Sequence, residues 1–235
     1  MAKKITKRKE FAMTPIAEWL NSFFAGFDYA ILEAYHNFTK ATGGFFTPFI
    51  KFFTFLGNKG WFLIVLALGL FMFSKTRKTA VAMALAIIFG ALIVNITVKP
   101  LVARPRPFVA NETFRLWWEY VGAMEVSEYS FPSGHTNASV AVMLAFAVTS
   151  FKRWKWAAPA ALAFAVLMGF TRNYVMVHYP SDVLFGFLTG AVAGILGVLV
   201  AKFGFWFLEK YRSFKLFGFV LDADLAKLWK KEKAE

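Results

Sequence analysis

The sequence predicts an all-α membrane protein, a bundle of five to six transmembrane helices with interfacial helices at both termini. Of its 235 residues, 58% are hydrophobic and only 17% are charged, fewer than a soluble domain needs to cover its surface. The apolar residues also form long blocks rather than amphipathic stripes, as in helices that cross a bilayer. We therefore expect residues 1–235 to form a single integral-membrane domain.

Residues 1–58 form an N-terminal region that leaves the number of crossings open. Residues 16–38 contain Glu18, Asp28 and Glu33, which suit a spanning helix poorly. The region forms either one strained crossing, giving six helices in total, or amphipathic helices in the interface, giving five. The basic residues 1–10 predict a cytoplasmic N-terminus, which requires an odd number of crossings before Trp61 and favours six.

Five later segments are apolar on all sides and predict transmembrane helices. In the last of them, Gly190, Gly194 and Gly197 are spaced to give a smooth face for close helix packing. The segments are residues 61–73, which extend upstream to reach membrane length, 79–98, 136–149, 157–175 and 183–203.

Basic loops predict the orientation of these helices. Lysine and arginine concentrate in residues 74–78 and 151–156 and in a tail at 204–235, and alternation places all three on one side. That side is expected to be cytoplasmic, so the net charge of +13 needs no nucleic-acid partner. The tail is interpreted as a helix resting on anionic membrane lipids or as a solvated segment without a partner. The opposite ends, with the acidic loop 110–130, would face outward from a bacterial inner or plasma membrane, or into an organelle lumen.

The first of three polar clusters, residues 99–107, follows the second predicted helix. Pro100, Pro105 and Pro107 are expected to end that helix and stiffen the chain after it. A lysine or arginine facing lipid costs roughly 2.5–3.5 kcal/mol at the bilayer centre, so Lys99 and Arg106 should instead face one another, water or an anion. Two fixed cations suit a multiply charged oxyanion, although snorkelling residues beside a helix would look the same.

The second cluster, residues 132–135, opens the third predicted helix. The free backbone N–H groups of a helix N-terminus form an anion site. Gly134 would let an anion approach the backbone, Ser133 could cap the helix and donate, and His135 could move a proton. Ordinary helix capping beside an incidental histidine remains an alternative.

The third cluster, residues 171–182, joins the last two predicted helices, with Pro180 suited to a first helical turn. His178 and Asp182 are four residues apart, so the carboxylate can orient one ring nitrogen and leave the other free to attack. Arg172 adds a third cation. A buried histidine–aspartate pair that ties two helices together is the alternative.

Together the clusters resemble the type 2 phosphatidic acid phosphatase (PAP2) superfamily. Its members share Lys-x6-Arg-Pro, Pro-Ser-Gly-His and Ser-Arg-x5-His-x3-Asp motifs. The first two are present in residue and spacing, and the third differs only at Thr171, which keeps a hydroxyl. The resemblance covers about residues 57–200 in motif order and helix placement, but neither end of the chain.

The resemblance implies a membrane hydrolase in which His178 is the phosphate-accepting nucleophile, Asp182 orients it, and His135 is the general acid and base. The implied phosphate-binding residues are Lys99, Arg106, Ser133, Gly134 and Arg172. The sequence contains no cysteine and no carboxylate cluster for Mg²⁺ or Zn²⁺, which favours a phosphohistidine route without metal or cofactor.

The substrate is expected to be a membrane lipid phosphate or pyrophosphate. Residues 104–109 and the compact N-terminal region resemble the undecaprenyl-pyrophosphate phosphatases of the superfamily, which favours that substrate over phosphatidic acid or phosphatidylglycerophosphate. A lipid-phosphate binding or transport protein is an alternative, although binding alone does not require the two histidines. Vanadate-dependent peroxidases resemble these phosphatases at the same residues, but the membrane helices argue against that class.

Overall fold

A computed structural model describes residues 13–126 and 129–224, and within these ranges every regular element is helical, as predicted. The short segments Asn58–Gly60 and Ala91–Val98 are a 3₁₀ turn and a π-helical stretch. The α-helices are α1 (Pro15–Phe23), α2 (Ala25–Ala41), α3 (Thr47–Leu56), α4 (Trp61–Phe71), α5 (Arg77–Gly90), α6 (Lys99–Val102), α7 (Pro107–Ala110), α8 (Glu112–Tyr120), α9 (Gly134–Ser150), α10 (Ala157–Tyr174), α11 (Pro180–Lys210) and α12 (Lys215–Asp222).

Within the described ranges, two continuous helices are long and apolar enough to cross a membrane, Arg77–Val102 and Pro180–Lys210. A third candidate is the pair α3 and α4, which pass the same length and composition criteria together but are bent by 44°. The helix predicted at 61–73 therefore does extend upstream, through α3, but with a bend between α3 and α4. The bend falls where Lys59 and Gly60 take left-handed backbone conformations, with φ of 52° and 69°. The protein is thus an integral membrane protein.

The helix predicted at 79–98 is longer than expected, because it begins at Arg77 and continues through Pro100 to Val102. The prediction that Pro100 ends it was wrong. The turns before Pro100 are π-helical, and the Lys99 N–H donates to Val94 O rather than to the carbonyl four residues before it. This wider turn relieves the clash that a prolyl ring makes in a regular α-helix. The helix ends at Ala103, which has a φ of 49°.

The last three predicted helices correspond to α9, α10 and α11. Ser133 caps α9, accepting a hydrogen bond from Thr136 N at 3.4 Å, and Pro180 occupies the first turn of α11, both as predicted. α11 runs to Lys210, well past the predicted end at residue 203. The predicted outer loop at 110–130 contains α8. Asn111 caps this helix, and its Phe114 and Trp117 belong to a buried apolar cluster that also contains Leu32 of α2.

Close packing between α9 and α11 depends on the glycine face predicted in the last helix. A Cβ at Gly190 would lie 2.6 Å from Asn137 O, and one at Gly194 would lie 2.8 Å from Ala141 O. These are contacts with backbone atoms, which cannot move aside as a flexible side chain can. The two helices therefore touch along their backbones, and this contact fixes the end of α11 that approaches His178.

We expect Gly190→Ala to destabilise the protein by about 1–3 kcal/mol, the usual cost of overpacking a close interface. Thermal unfolding in detergent measures the effect as a lower midpoint. Gly204→Ala is the matched control, since the same helix leaves nothing within 4 Å of a Cβ at that position. There, alanine should be neutral or stabilising because of its higher helix propensity. Equal midpoints for the two variants would contradict the packing argument.

The basic segments gather at one end of the bundle. Arg153 Nη2, from one predicted basic loop, donates to Lys75 O of the other at 3.1 Å. Arg77 Nη1 donates to Val220 O of α12 at 2.5 Å, which docks the start of the C-terminal tail at the same end. Residues 1–12 and 225–235, on which the predictions for the two termini partly rest, lie outside the described residues. The three polar clusters lie at the opposite end.

Candidate active site

A cavity of about 630 Å³ at the end opposite the basic loops brings the three clusters together. It is formed between the ends of α6, α9 and α10, the segment before α7, the α10–α11 loop and the turn before α4. Six of the eight residues singled out in the sequence line it, Lys99, Arg106, Gly134, His135, Arg172 and His178. The other two, Ser133 and Asp182, are fully buried behind the cavity wall.

The His178 imidazole directs one nitrogen at a cation and the other at a carboxylate. Its Nε2 lies 3.2 Å from Arg106 Nη1, and its Nδ1 lies 3.5 Å from Asp182 Oδ2. A guanidinium has no acceptor, so Nε2 must present its lone pair and the proton must sit on Nδ1. The Nδ1–Asp182 separation is too long to count as a hydrogen bond, and Nδ1 has no hydrogen-bond partner among the described residues.

Burial and charge keep this imidazole neutral. Burial lowers the pKa of His178 well below its usual range, the Arg106 cation adds to the shift, and Asp182 opposes it. Burial also lowers the pKa of Arg106 to about 10, so its guanidinium is still charged at neutral pH. The pair therefore combines an unprotonated ring nitrogen with a fixed positive charge beside it.

Asp182 is held by hydrogen bonds on both carboxylate oxygens. Oδ1 accepts from Arg104 Nη1 at 2.7 Å, and Oδ2 accepts from Tyr179 N at 2.9 Å and from the Ser130 hydroxyl. The carboxylate lies in the first turn of α11, where the positive end of the helix dipole favours a negative charge. It is thus fixed in orientation, with Oδ2 facing His178.

Two further cations of the three polar clusters line the cavity. Arg172 is almost fully buried and donates from Nη1 to the Thr54 hydroxyl, and its Nε has no hydrogen-bond partner in the described part of the chain. Lys99 Nζ lies 3.4 Å from Tyr129 O. A buried guanidinium with an unused donor requires an acceptor, and a bound anion supplies one.

The N-terminus of α9 forms another wall of the cavity. A Cβ at Gly134 would lie 3.4 Å from Asn95 Oδ1 and 3.9 Å from Lys99 Nζ, so the first turn of the helix faces the lysine. Gly57 packs so tightly against His135 that a Cβ there would lie 2.8 Å from the ring. The Ser133 hydroxyl is turned away, accepting from Thr136 Oγ1 at 2.9 Å, and does not line the cavity.

The sequence did not single out several residues that the structure brings to the site. Asn95 and Lys59 line the cavity, and Arg104 and Asp28 are buried behind Asp182. The sequence could have singled out Arg104, because an unpaired cation in an apolar chain is as costly at this position as at Arg106 and must therefore have a partner. Asp28 was noted only as an obstacle to a spanning helix. The sequence around Arg104 and the sequence around Asp28 do not reveal that these two side chains contact each other.

Comparisons with known proteins support one family. The PAP2 superfamily matches residues 79–206, more than half of the chain. The undecaprenyl-diphosphatase BcrC of Bacillus subtilis is 33% identical over 134 residues, which are 57% of this chain and 64% of that protein. The undecaprenyl-diphosphatase of Sulfolobus acidocaldarius is 30% identical over 136 residues, 57% of this chain and 61% of that protein. The chain therefore spans less than two thirds of the length of these two relatives.

A solved structure extends the likeness beyond the motifs. The first transmembrane PAP2-type phosphatidylglycerolphosphate phosphatase from Bacillus subtilis superposes with a TM-score of 0.62 at 26% identity, covering 85% of this chain and 93% of that one. Residues 79–206, the stretch that matches the PAP2 superfamily, contain the residues that define the cavity and its buried wall: Lys99, Arg106, His135, Arg172, His178 and Asp182. The chain belongs to the PAP2 superfamily.

Proposed function

We propose that the protein is a membrane phosphatase that hydrolyses a lipid pyrophosphate, specifically undecaprenyl pyrophosphate to undecaprenyl phosphate, through a phosphohistidine on His178. The observation that carries this proposal is the contact between His178 Nε2 and Arg106 Nη1, at 3.2 Å, in a cavity that Lys99 and Arg172 also line. An anion in that cavity lies between a nucleophile and three cations. This is the arrangement that phosphoryl transfer requires.

In the first step His178 Nε2 attacks the terminal phosphorus. A P–N bond forms while the P–O bond to the leaving lipid phosphate breaks, and His135 protonates the leaving oxygen where protonation is needed. Asp182 stabilises the positive charge that develops on the ring. In the second step His135 takes a proton from water, and the water oxygen bonds to phosphorus as the P–N bond breaks. Inorganic phosphate leaves, and His178 Nε2 regains its lone pair.

The cations act on the three oxygens of the transferred group. Arg106 and Arg172 present guanidinium donors, Lys99 adds a point charge, and the α9 N-terminus at Gly134 adds backbone N–H groups. Donors aimed at the equatorial oxygens stabilise charge in the transition state. Ser133 contributes to this scheme through the helix cap that orients Gly134.

Two features favour a pyrophosphate with a long apolar tail. Asn95 and Lys59 line the same cavity and offer donors to a second phosphate. A separate groove of about 420 Å³ with almost wholly apolar walls runs between α4 and α5 and shares Ile87 with the cavity. A polyprenyl chain could lie there while its headgroup occupies the cavity. The names of the two undecaprenyl-diphosphatase relatives support the same choice.

We propose five crossings, formed by α3 with α4, α5 with α6, α9, α10 and α11. The Thr14 hydroxyl donates to Val102 O at 2.5 Å, so the described chain begins at the cavity end of the bundle. α1 and α2 then lie in the outer interface. In this arrangement Thr14 lies on the outer side of the plasma membrane, whereas a cytoplasmic N-terminus was expected. The basic loops and α12 lie inside, following the positive-inside rule.

The proposal predicts metal-independent turnover with a preference for the isoprenoid. We expect the detergent-solubilised protein to release phosphate from undecaprenyl pyrophosphate in excess EDTA, since the described residues contain no group of three His, Asp or Glu side chains that could hold a metal. Values of kcat/KM should be at least about tenfold lower for phosphatidic acid, which has a single phosphate, and for phosphatidylglycerophosphate, in which a glycerol separates the second phosphate from the terminal one.

Each other outcome identifies an alternative. A higher kcat/KM for phosphatidylglycerophosphate would keep the phosphatase and change its substrate, in line with the name of the superposed Bacillus protein. Loss of activity in EDTA that Mg²⁺ restores would contradict the mechanism. Binding of the lipid with no phosphate release from any substrate would indicate a lipid-phosphate binding or transport protein.

A further inference from the structure

Arg104 is fully buried and connects two carboxylates from distant parts of the chain. Its Nη1 lies 2.7 Å from Asp182 Oδ1, and its Nη2 lies 2.8 Å from Asp28 Oδ2. Its Nε donates to Asn21 Oδ1 at 2.8 Å, and its guanidinium stacks on the Tyr179 ring with 3.8 Å between the guanidinium carbon and the ring centroid. A planar fork with donors on two sides can make these contacts at once, and an ammonium group cannot.

Asp28 belongs to α2 and is buried, with only 2% of its surface exposed. Its Oδ1 accepts from Ser181 N at 2.8 Å, and its Oδ2 accepts from Ser181 Oγ at 2.7 Å as well as from Arg104. Helix α2 therefore contacts the first turn of α11, the turn that carries Asp182. Buried ion pairs are weak evidence for stability, because the desolvation of the charges offsets their attraction. A chain of three such charges directly behind the nucleophile is better explained by a function.

The chain of charges acts on the part of Asp182 that faces His178. Because Arg104 holds Oδ1, the other oxygen is left to accept from Tyr179 N and to face His178 Nδ1 at 3.5 Å. The Arg104 cation also withdraws negative charge from Asp182. Asp28 neutralises part of that cation and so limits the withdrawal.

We propose that Arg104 is a positioning residue that fixes Asp182 against the nucleophilic His178, and that Asp28 of α2 sets how much of the Arg104 charge Asp182 experiences. This inference rests on the proposed phosphatase function. It makes the N-terminal region, which the family match at residues 79–206 does not include, part of the machinery that orients the nucleophile.

The two charges have opposite effects on the protonation of His178. The groups that act on His178 are Arg106, from the segment before α7, and His135, Arg172 and Asp182, on the helices around it. Lys59, Lys99 and Glu125 line the same cavity. All of these groups are still present when Asp28 or Arg104 is replaced. Removing the Asp28 carboxylate makes the imidazolium harder to form, whereas removing the Arg104 cation makes it easier to form.

The test is the pH dependence of kcat/KM for undecaprenyl pyrophosphate, whose acid limb reports protonation of groups in the free enzyme. We expect Asp28→Asn to move the acid limb to lower pH by about half a unit, less than the roughly 1–3 units that an adjacent charge produces. Arg104→Gln should move it to higher pH. Arg104→Lys keeps the charge, so it should leave the limb in place and lower kcat about tenfold or more, because a lysine cannot bridge both carboxylates.

Two exposed positions supply matched controls. Glu18→Gln on α1 removes a carboxylate, and Arg115→Gln on α8 removes a guanidinium whose ion pairs, among the residues that the structure describes, are with Glu112 and Glu119 at the surface. Both should leave kcat and the acid limb unchanged. If Arg104→Gln does not fold, the Asp28→Asn shift and the kcat loss of Arg104→Lys still decide the question.

The outcomes separate this inference from the proposed function. Wild-type protein that releases no phosphate contradicts the function itself. An active wild type whose acid limb is unmoved in Asp28→Asn overturns the inference alone. The inference also fails if the Asp28 and Arg104 variants shift the limb in the same direction, since a merely structural role would produce lower activity without opposite shifts.

Discussion

Replacing His178 with alanine should reduce phosphate release from undecaprenyl pyrophosphate by at least about 10⁴-fold, because the variant has no atom to accept the phosphoryl group. Direct attack of water on the lipid substrate would be slow, because no general base is placed to activate a water in that position. The cations at Lys99, Arg106 and Arg172 remain, so substrate should still bind and the KM or Kd should change little. Single-turnover assays in detergent with labelled substrate measure the loss.

His36 provides the matched control, since it is the only histidine outside the cavity. Its ring stacks on Trp117 with 4.8 Å between ring centroids, at the interface of α2 and α8. We expect His36→Ala to retain turnover within about tenfold of wild type, with any loss following reduced stability. Turnover by His178→Ala at the rate of His36→Ala would remove the nucleophile assignment. Gel filtration and thermal unfolding would exclude misfolding as the cause of inactivity.

Much of the site could be predicted from the sequence because its chemistry is local. Pro132 to His135 opens a helix, and His178 and Asp182 are one helical turn apart, so each cluster carries its own geometry. The cost of cations in an apolar chain then predicts that the clusters meet. The structure does bring Lys99, Arg106, Gly134, His135, Arg172 and His178 to one cavity.

The remainder depends on contacts between distant residues, which no local pattern encodes. Asp28 and Arg104 are 76 residues apart, and only the packing of α2 across the ends of α6 and α11 brings them together. The continuation of the helix through Pro100 depends on a π-helical stretch that the residue pattern does not reveal. Sequence patterns likewise predicted an acidic loop where α8 packs apolar residues inward, because its charged residues lie on its other face.

The second large effect is expected for His135→Asn, which should lower steady-state turnover of undecaprenyl pyrophosphate by about 10²–10⁴-fold, the usual contribution of a general acid or base. The loss should fall mainly on the second step. A lipid phosphate leaves readily without a proton, whereas water needs a base to attack the phosphorylated His178. Rapid quenching should therefore show a burst of about one undecaprenyl phosphate per protein before inorganic phosphate appears.

The same variant should retain labelled phosphate on the protein, stable in alkali and labile in acid as phosphohistidine is. The doubly substituted His135→Asn and His178→Ala protein should retain none, which assigns the label to His178. With phosphatidic acid the leaving group is an alkoxide that needs the proton from His135, so the first step stalls and no label accumulates. A burst of equal size from both lipids would mean that His135 does not protonate the leaving oxygen. Equal slowing of both products, with no label retained on the protein, would mean that the loss falls on the first step and that another group activates the water.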